Sequence, residues 1–250
     1  MSASVISWNG RGGNTVAIYA IADLHLDTSH TKPMDVFGQE WRDHAEKIAH
    51  HWHERIQDDD IVVMPGDISW AMKLEEAAPD LVWIGRLPGR KVLIRGNHDF
   101  WWGGIQRVRK ALPPRMYALQ NDCLVLDNVC FAGTRGWTLP HHPSYNAEQD
   151  EPILKREILR LELSLKAAVK EGKPILCLMH YPPVDSNHPH SPFHELLAAY
   201  GVRACVYGHL HGPAHRFAFN GEIDSVRYQL VSCDYLQFIP WKIPEEWLQP

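Results

Sequence analysis

Residues 92–99 read VLIRGNHD, an apolar run of strand length that ends in glycine, asparagine, histidine and aspartate. Four other stretches follow the same plan: VAIYAIADLHLD at 16–27, IVVMPGD at 61–67, ILCLMH at 175–180 and ACVYGHLH at 204–211. Short runs rich in Val and Ile that end in polar or glycine-containing sequence predict β-strands. Because ligands in open α/β sheets gather outside the carboxyl ends of the strands, these polar residues are predicted to meet on one rim.

Three further apolar runs, at 123–126, 129–132 and 226–231, also predict strands, and Asp127-Asn128 between the first two predicts a hairpin turn. Between the strands, apolar residues at helical spacing predict helices over Phe37–Ile56, Leu74–Arg86, Ile153–Glu171 and Phe193–Tyr200. This order predicts a layered α/β fold with mixed sheets. No linker divides the chain, so we expect one domain over 15–250 after a flexible, Gly- and Asn-rich lead-in over 1–14.

The composition excludes several classes of protein. The chain has 250 residues, of which 45% are hydrophobic and 22% charged, as in globular domains and unlike disordered chains. The net charge of −5 gives no broad basic field for nucleic acid or an anionic membrane. Five cysteines without a C-x-x-C pair indicate a reducing compartment, and no signal peptide or membrane-length apolar run is visible. We therefore expect a cytoplasmic protein.

The polar residues at the strand ends have the chemistry of metal ligands. Residues i and i+2 of an extended chain point the same way, so Asp23 and His25 can reach one ion, and His209 and His211 can serve one ion or two adjacent ones. Carboxylate, imidazole and amide donors without thiolate favour Mn²⁺, Fe²⁺/Fe³⁺ or Zn²⁺. Seven candidate ligands are too many for one such ion and suit two: Asp23, His25, Asp67, Asn97, His180, His209 and His211.

The five elements D-x-H, G-D, G-N-H-D, H and G-H-x-H, in this order between Asp23 and His211, resemble the signature of calcineurin-like metallophosphoesterases. The resemblance covers most of the chain and implies a four-layer α/β/β/α sandwich with two mixed β-sheets and the metal site at the carboxyl ends of the strands. It implies the following ligand sets: Asp23, His25 and His211 for a first metal, Asn97, His180 and His209 for a second, and Asp67 as the bridge. A hydroxide held between the metals would attack phosphorus.

The resemblance also implies a catalytic pair beside the metals. His98 is not a ligand in this family; it would protonate the leaving oxygen or stabilise the transition state, and Asp99 would orient it. Two further residues are candidates for substrate binding. Arg135 follows a strand and carries forked donors that suit phosphate, and Tyr181 follows a predicted ligand. The long loops 135–152 and 182–192, rich in Pro and His, begin beside the predicted site.

Differences between this sequence and the motifs of known subfamilies narrow the range of expected substrates. Residues 66–71 read GDISWA where serine/threonine phosphatases have GDxVDRG, so the phosphate-holding arginine of that subfamily is missing. His98 stands where the lipid A pathway pyrophosphatases usually carry arginine. We expect a metal-dependent phosphodiesterase or phosphomonoesterase for a small phosphate ester, with nucleotides among the candidates. The alternatives are a non-catalytic scaffold of this fold and a nuclease, although the acidic balance disfavours nucleic acid.

Overall fold

The computed structural model describes residues 16–28, 32 and 34–249; the predicted lead-in over 1–14 lies outside them. The strands are β1 (Ile18–Ala20), β2 (Ile61–Met64), β3 (Arg90–Leu93), β4 (Met116–Ala118), β5 (Cys123–Leu126), β6 (Val129–Thr134), β7 (Ile175–Met179), β8 (Ala204–Tyr207), β9 (Gly221–Ile223), β10 (Val226–Leu230) and β11 (Trp241–Lys242). The helices are α1 (His44–Arg55), α2 (Leu74–Arg86), α3 (Ile105–Ala111), α4 (Ala147–Val169) and α5 (Pro192–Ala199).

The strands form two mixed sheets. The first has the order β11-β1-β2-β3-β4, in which β1 to β4 are parallel and β11 is antiparallel to β1. The second has the order β5-β6-β7-β8-β10-β9, parallel from β6 to β10 and closed at both edges by antiparallel partners. The central strands are buried on both faces, as parallel strands covered on each side require.

Alternation of side chains along each strand builds four layers. Along β2, Val62 and Met64 face a core shared with α1, α2 and α3, whereas Ile61 and Val63 face the second sheet. On the other side, Leu161 of α4 belongs to a core shared with α5 and the second sheet. The predicted α/β/β/α sandwich is therefore confirmed. No helix among the described residues combines the length and the apolarity that a membrane crossing needs.

Several element boundaries differ from the sequence-based prediction. The helix predicted from Phe37 is wrong at its start: two 3-10 turns, Met34–Phe37 and Gln39–Trp41, come first, and Asp43 has a left-handed backbone with φ of 52°. Conversely, α4 begins at Ala147 rather than Ile153, because the Asn146 side chain caps it and Pro152 is accommodated inside the helix. The first long loop therefore covers only residues 135–146.

Candidate metal centre

The motif loops are joined to one another directly beyond the strand ends. After β1, the backbone N–H of Asp23 donates to the carbonyl of Gly66 at 3.0 Å, and that of His25 donates to the carbonyl of Asp67 at 3.0 Å. Asp23, His25 and Asp67 have positive φ values of 59°, 45° and 53°, as does His209 at 75°. Such backbone costs of order 1–3 kcal/mol per residue and clusters at functional sites. Here it turns the side chains inward.

Glycine makes the close approach of these loops possible. A Cβ on Gly96 would overlap the backbone nitrogen and carboxylate of Asp67, and a Cβ on Gly208 would overlap the carboxylate of Asp23. Gly96, before Asn97, therefore allows the third motif to pack against Asp67, and Gly208, before His209, allows the fifth motif to pack against Asp23.

The structure brings Asp23, His25 and His211 together as the resemblance implied. One ligand atom from each lies within 4.8 Å of the others. Nε2 of His211 is 3.7 Å from Oδ1 of Asp23, while its Nδ1 is 2.9 Å from Oδ1 of Asp234. A carboxylate on the outer nitrogen fixes the tautomer of a ligand imidazole and aims the inner nitrogen at the site.

Asn97, His180 and His209 form a second group. Oδ1 of Asn97 lies 2.6 Å from Nε2 of His180 and 3.0 Å from Nδ1 of His209. Nδ1 of His180 is 3.0 Å from the carbonyl of Pro65, which leaves Nε2 to face the group. Burial lowers the pKa of His180 to about 3, so its ring is neutral and presents a lone pair.

Asp67 lies between the two groups. Its Oδ2 is 3.8 Å from Nε2 of His25 and 3.5 Å from Nε2 of His180, and Oδ1 accepts the backbone N–H of His98 at 2.8 Å. Burial, Asp99 and Asp23 together raise the pKa of Asp67 well above its usual value. This is the position expected of a bridging carboxylate.

The donor set fits cations at both groups. Acceptor oxygens and imidazole nitrogens converge in a buried space, and Nδ1 of His25 is buried without a hydrogen-bond partner. Although burial opposes it, hydrogen bonds to Asp23 and Asp234 raise the pKa of His211 to about 10. The carboxylates thus hold a proton where a metal ion would supply the same compensation, and nitrogen and oxygen donors suit Mn²⁺, Fe²⁺/Fe³⁺ or Zn²⁺.

His98 lies beside this centre with its ring on the open side. Its ring centroid is 4.5 Å from that of Trp70 and 5.7 Å from that of His25. Trp70 in turn stacks on His25 at 4.7 Å with an interplanar angle of 21°. Burial lowers the pKa of His98. The structure places His98 where the resemblance expects a non-ligand histidine.

Asp99 has different partners from those expected. Its carboxylate is fully buried and accepts four backbone N–H groups, from Asp67 at 2.9 Å, Ile68 at 2.9 Å, Ser69 at 3.2 Å and Gly96 at 2.7 Å. The indole N–H of Trp101 donates a fifth bond at 2.9 Å. The hydrogen bonds of this carboxylate therefore join the second and third motif loops, and none of those found among the described residues reaches His98.

The two predicted substrate contacts differ in position. The ring of Tyr181 is 4.0 Å from that of His209, so Tyr181 borders the second group. The carbonyl of Arg135 accepts the backbone N–H of His180 at 3.1 Å, but its guanidinium lies over Trp137, 4.5 Å from the ring centroid, and lines a separate cavity. Between the two long loops, the ring of His141 stacks on that of His188 at 3.9 Å.

Asp234 is a site residue that the sequence analysis missed. It follows the apolar run 226–231, so the strand-end signal that found the other ligands was present there too. Cys233, its neighbour, donates from Sγ to the carbonyl of Asp23 at 2.9 Å. Asp234 therefore holds the ring of His211, and Cys233 holds the backbone of Asp23, so both residues stabilise the first group.

A cleft of about 370 Å³ opens over the metal centre. Its floor carries His98 and four of the candidate ligands, His25, Asp67, His209 and His211, and its wall is largely apolar and aromatic. The wall residues are Met34, Phe37, Trp41, Trp70 and Pro213. A cleft of this size, with polar groups at one end, suits a small substrate.

Comparison with known proteins supports this assignment. The family model described as calcineurin-like phosphoesterase matches residues 16–213. A phosphopantetheinyl hydrolase from Mycobacterium tuberculosis shares the fold with a TM-score of 0.53 and 14% identity, over 94% of this chain and 98% of that one. The protein TT1561 of Thermus thermophilus has a TM-score of 0.50 and 14% identity, over 79% and 83% of the two chains.

A curated relative, the Gene 66 protein of Mycobacterium phage D29, is 34% identical over 84 residues. That match spans 33% of this chain and 40% of the phage protein. The family model, in contrast, includes every motif from Asp23 to His211. With the two groups of candidate ligands on one rim of a four-layer sandwich, the chain belongs to the calcineurin-like phosphoesterase family.

Proposed function

We propose that the protein hydrolyses a small phosphate monoester or diester with two divalent metal ions, and that nucleotides are among its substrates. The position of Asp67 between two separate groups of nitrogen and oxygen donors is the observation that carries the proposal. Asp23, His25 and His211 would hold one ion, Asn97, His180 and His209 the other, with Asp67 shared. Bound there, the ions would supply Lewis acidity to the phosphoryl oxygens and activate the attacking water.

Three residues that are not candidate metal ligands have the remaining roles in the proposed reaction. His98, on the open side of the centre, donates a hydrogen bond or a proton toward the leaving oxygen. The ring of Trp70 packs against those of both His98 and His25, at centroid distances of 4.5 Å and 4.7 Å. Asp99 fixes the loops that carry Asp67 and Asn97 relative to each other, because a backbone N–H from each loop donates a hydrogen bond to its carboxylate.

The cleft favours a small substrate over a polymer. Its volume of about 370 Å³ is near the lower end of small-molecule sites. Its apolar wall offers aromatic faces to an organic leaving group, with Trp41 and Trp70 as the largest. The net charge of −5 also disfavours the long-range attraction that nucleic acid binding uses.

We further propose a cytoplasmic location. All five cysteines are free thiols, and four of them are buried: Cys130, Cys177, Cys205 and Cys233. Free buried cysteines behave as small apolar core residues and are typical of reducing compartments.

The decisive experiment combines metal content with turnover. Protein stripped by a chelator and reloaded with Mn²⁺, Fe²⁺ or Zn²⁺ is assayed on p-nitrophenyl phosphate, on bis-p-nitrophenyl phosphate and on a nucleotide panel. We expect two ions per chain and activity that returns with the second ion. Full activity in the stripped protein, or saturation at a single ion, would contradict the binuclear mechanism. Bound metal without turnover would favour the scaffold alternative, and salt-sensitive DNA cleavage that exceeds small-ester hydrolysis would favour a nuclease.

A further inference from the structure

A second cavity, of about 290 Å³, lies on the same rim as the metal centre but has different walls. It opens at the carboxyl ends of β3 and β6 and is covered by α4. Four arginines line it: Arg95, Arg135, Arg156 and Arg160. We call it the arginine cavity. Its volume is several times the roughly 30 Å³ that one water molecule occupies, so a phosphate group fits inside.

Two of these arginines have unsatisfied donors. The Nε atoms of Arg95 and Arg135 are buried and have no hydrogen-bond partner. The Arg135 side chain is only 15% exposed, so solvent compensates it poorly. A buried donor without a partner costs free energy, so these two side chains are not satisfied by protein contacts alone.

The positive charges of the cavity are only partly balanced. Glu157 is fully buried there and pairs with Arg160 at 2.7 Å and Arg135 at 3.6 Å, while its other oxygen accepts the hydroxyl of Thr134 at 2.7 Å. One carboxylate facing four guanidinium groups leaves three positive charges around one cavity, in a chain whose net charge is −5. Burial together with the nearby Arg95 and Arg160 lowers the pKa of Arg135, against the effect of Glu157, as expected for crowded like charges.

Residues of the arginine cavity and candidate metal ligands lie on the same or directly hydrogen-bonded loops. Arg95 precedes Asn97 by two residues on the same loop, and the carbonyl of Arg135 accepts the backbone N–H groups of His180 at 3.1 Å and Tyr181 at 2.8 Å. The arginine cavity therefore borders the loops that carry Asn97 and His180 of the second group of candidate ligands.

We propose that the arginine cavity binds a second phosphate group of the substrate, one that is not hydrolysed. Guanidinium groups offer forked donors that match phosphate oxygens, and such charge-assisted bonds are strong when they are screened from water. The preferred substrates would thus be phosphate esters that carry an additional phosphate. The link to turnover rests on the proposed function, whereas anion binding by the cavity does not.

Calorimetry on metal-free protein tests the cavity without the metal centre. After the chelator is removed by desalting, inorganic phosphate is titrated into the native chain and into Arg95→Gln, which breaks no contact found among the described residues. We expect one saturable site, weakened about tenfold in Arg95→Gln, the loss of one charge-assisted hydrogen bond. Arg86→Gln, on the exposed face of α2, is the matched control and should bind like the native chain. Absence of a saturable site, or equal affinity in Arg95→Gln and the native chain, would overturn the proposal.

Inhibition of the metal-loaded enzyme tests the connection to the substrate. Adenosine 5′-monophosphate and adenosine 3′,5′-bisphosphate, which differ by one phosphate, compete with bis-p-nitrophenyl phosphate. We expect the bisphosphate to inhibit about tenfold more tightly, and Arg95→Gln to abolish that preference. A preference retained in Arg95→Gln would refute the substrate role and assign the phosphate seen by calorimetry to an adventitious ion only. If bis-p-nitrophenyl phosphate is not hydrolysed at all, the proposed function fails, and calorimetry still decides whether the cavity binds phosphate.

Discussion

The carboxylate of Asp99 accepts the backbone N–H of Asp67 at 2.9 Å, so the residue that ends the third motif holds the candidate bridging residue in place. Asp99 also accepts the N–H of Gly96 at 2.7 Å, and with it the loop that leads to Asn97. The position of Asp67 therefore depends on a buried charge that does not itself contact the cleft.

We expect Asp99→Asn to destabilise the protein even without metal. An amide has a single acceptor oxygen and would turn an NH₂ group toward N–H donors, so the free energy of unfolding should fall by about 3 kcal/mol. Urea denaturation of metal-free protein measures this loss. If Asp99 acted only by orienting His98, Asp99→Asn would leave the denaturation midpoint unchanged and would alter the pH profile of turnover instead.

Asp67→Asn is expected to release one of the two metal ions and to lower kcat by about 100-fold or more, because the shared charge between the two groups is lost. Elemental analysis and the bis-p-nitrophenyl phosphate assay provide the measurement. Asp58→Asn, at an exposed carboxylate before the amino end of β2 and so at the opposite end of that strand from Asp67, is the control and should retain both ions. Two tightly bound ions and full activity in Asp67→Asn would rule out a bridging role.

Substitution of His98 by alanine should leave metal content intact and lower turnover, because the side chain faces the cleft and is not among the candidate ligands. The loss should reach about 100-fold for esters with poor leaving groups and be smaller for p-nitrophenyl esters. His53→Ala, on the exposed face of α1, serves as the control. Equal losses for good and poor leaving groups would refute proton donation and leave charge stabilisation.

Asp234→Asn should weaken metal binding at the first group by about 10- to 100-fold, because the outer nitrogen of His211 would lose its carboxylate partner. Activity should recover at saturating metal. A titration of activity against free Mn²⁺ distinguishes this from a direct catalytic role, in which kcat would stay low at every metal concentration.

Lys91 gives a prediction for stability rather than activity. Its side chain is buried, and burial lowers its pKa from 10.5 to about 8. Between these values the unfolded chain binds more protons than the folded chain, so the contribution of Lys91 to the unfolding free energy rises with pH. Lys91→Met should remove this rise between about pH 8 and about pH 10.5 in urea denaturation, and Lys110→Met, an exposed lysine of α3, should keep it. An unchanged pH dependence in Lys91→Met would contradict a lowered pKa of Lys91 in the folded chain.

Local patterns predicted much of the framework. The segment Leu74–Arg86 is a helix over the predicted residues, and Asp127-Asn128 joins β5 to β6, because spacing and turn chemistry are short-range properties. The short strands β4, β9 and β11 were not predicted. The two-residue strand β11 exists only because it pairs with β1, more than 200 residues away in the sequence.

The sequence by itself determined which residues reach the metal centre, because a ligand placed directly after a parallel strand is carried to the common rim by the strand. Only the tertiary structure decided what surrounds them. Four features join residues from separate elements: the position of Asp67 between His25 and His180, the five donors to Asp99, the contact of Asp234 with His211, and the four arginines under α4. Such contacts depend on how the layers pack, and packing is set by the whole chain rather than by the residues next in sequence.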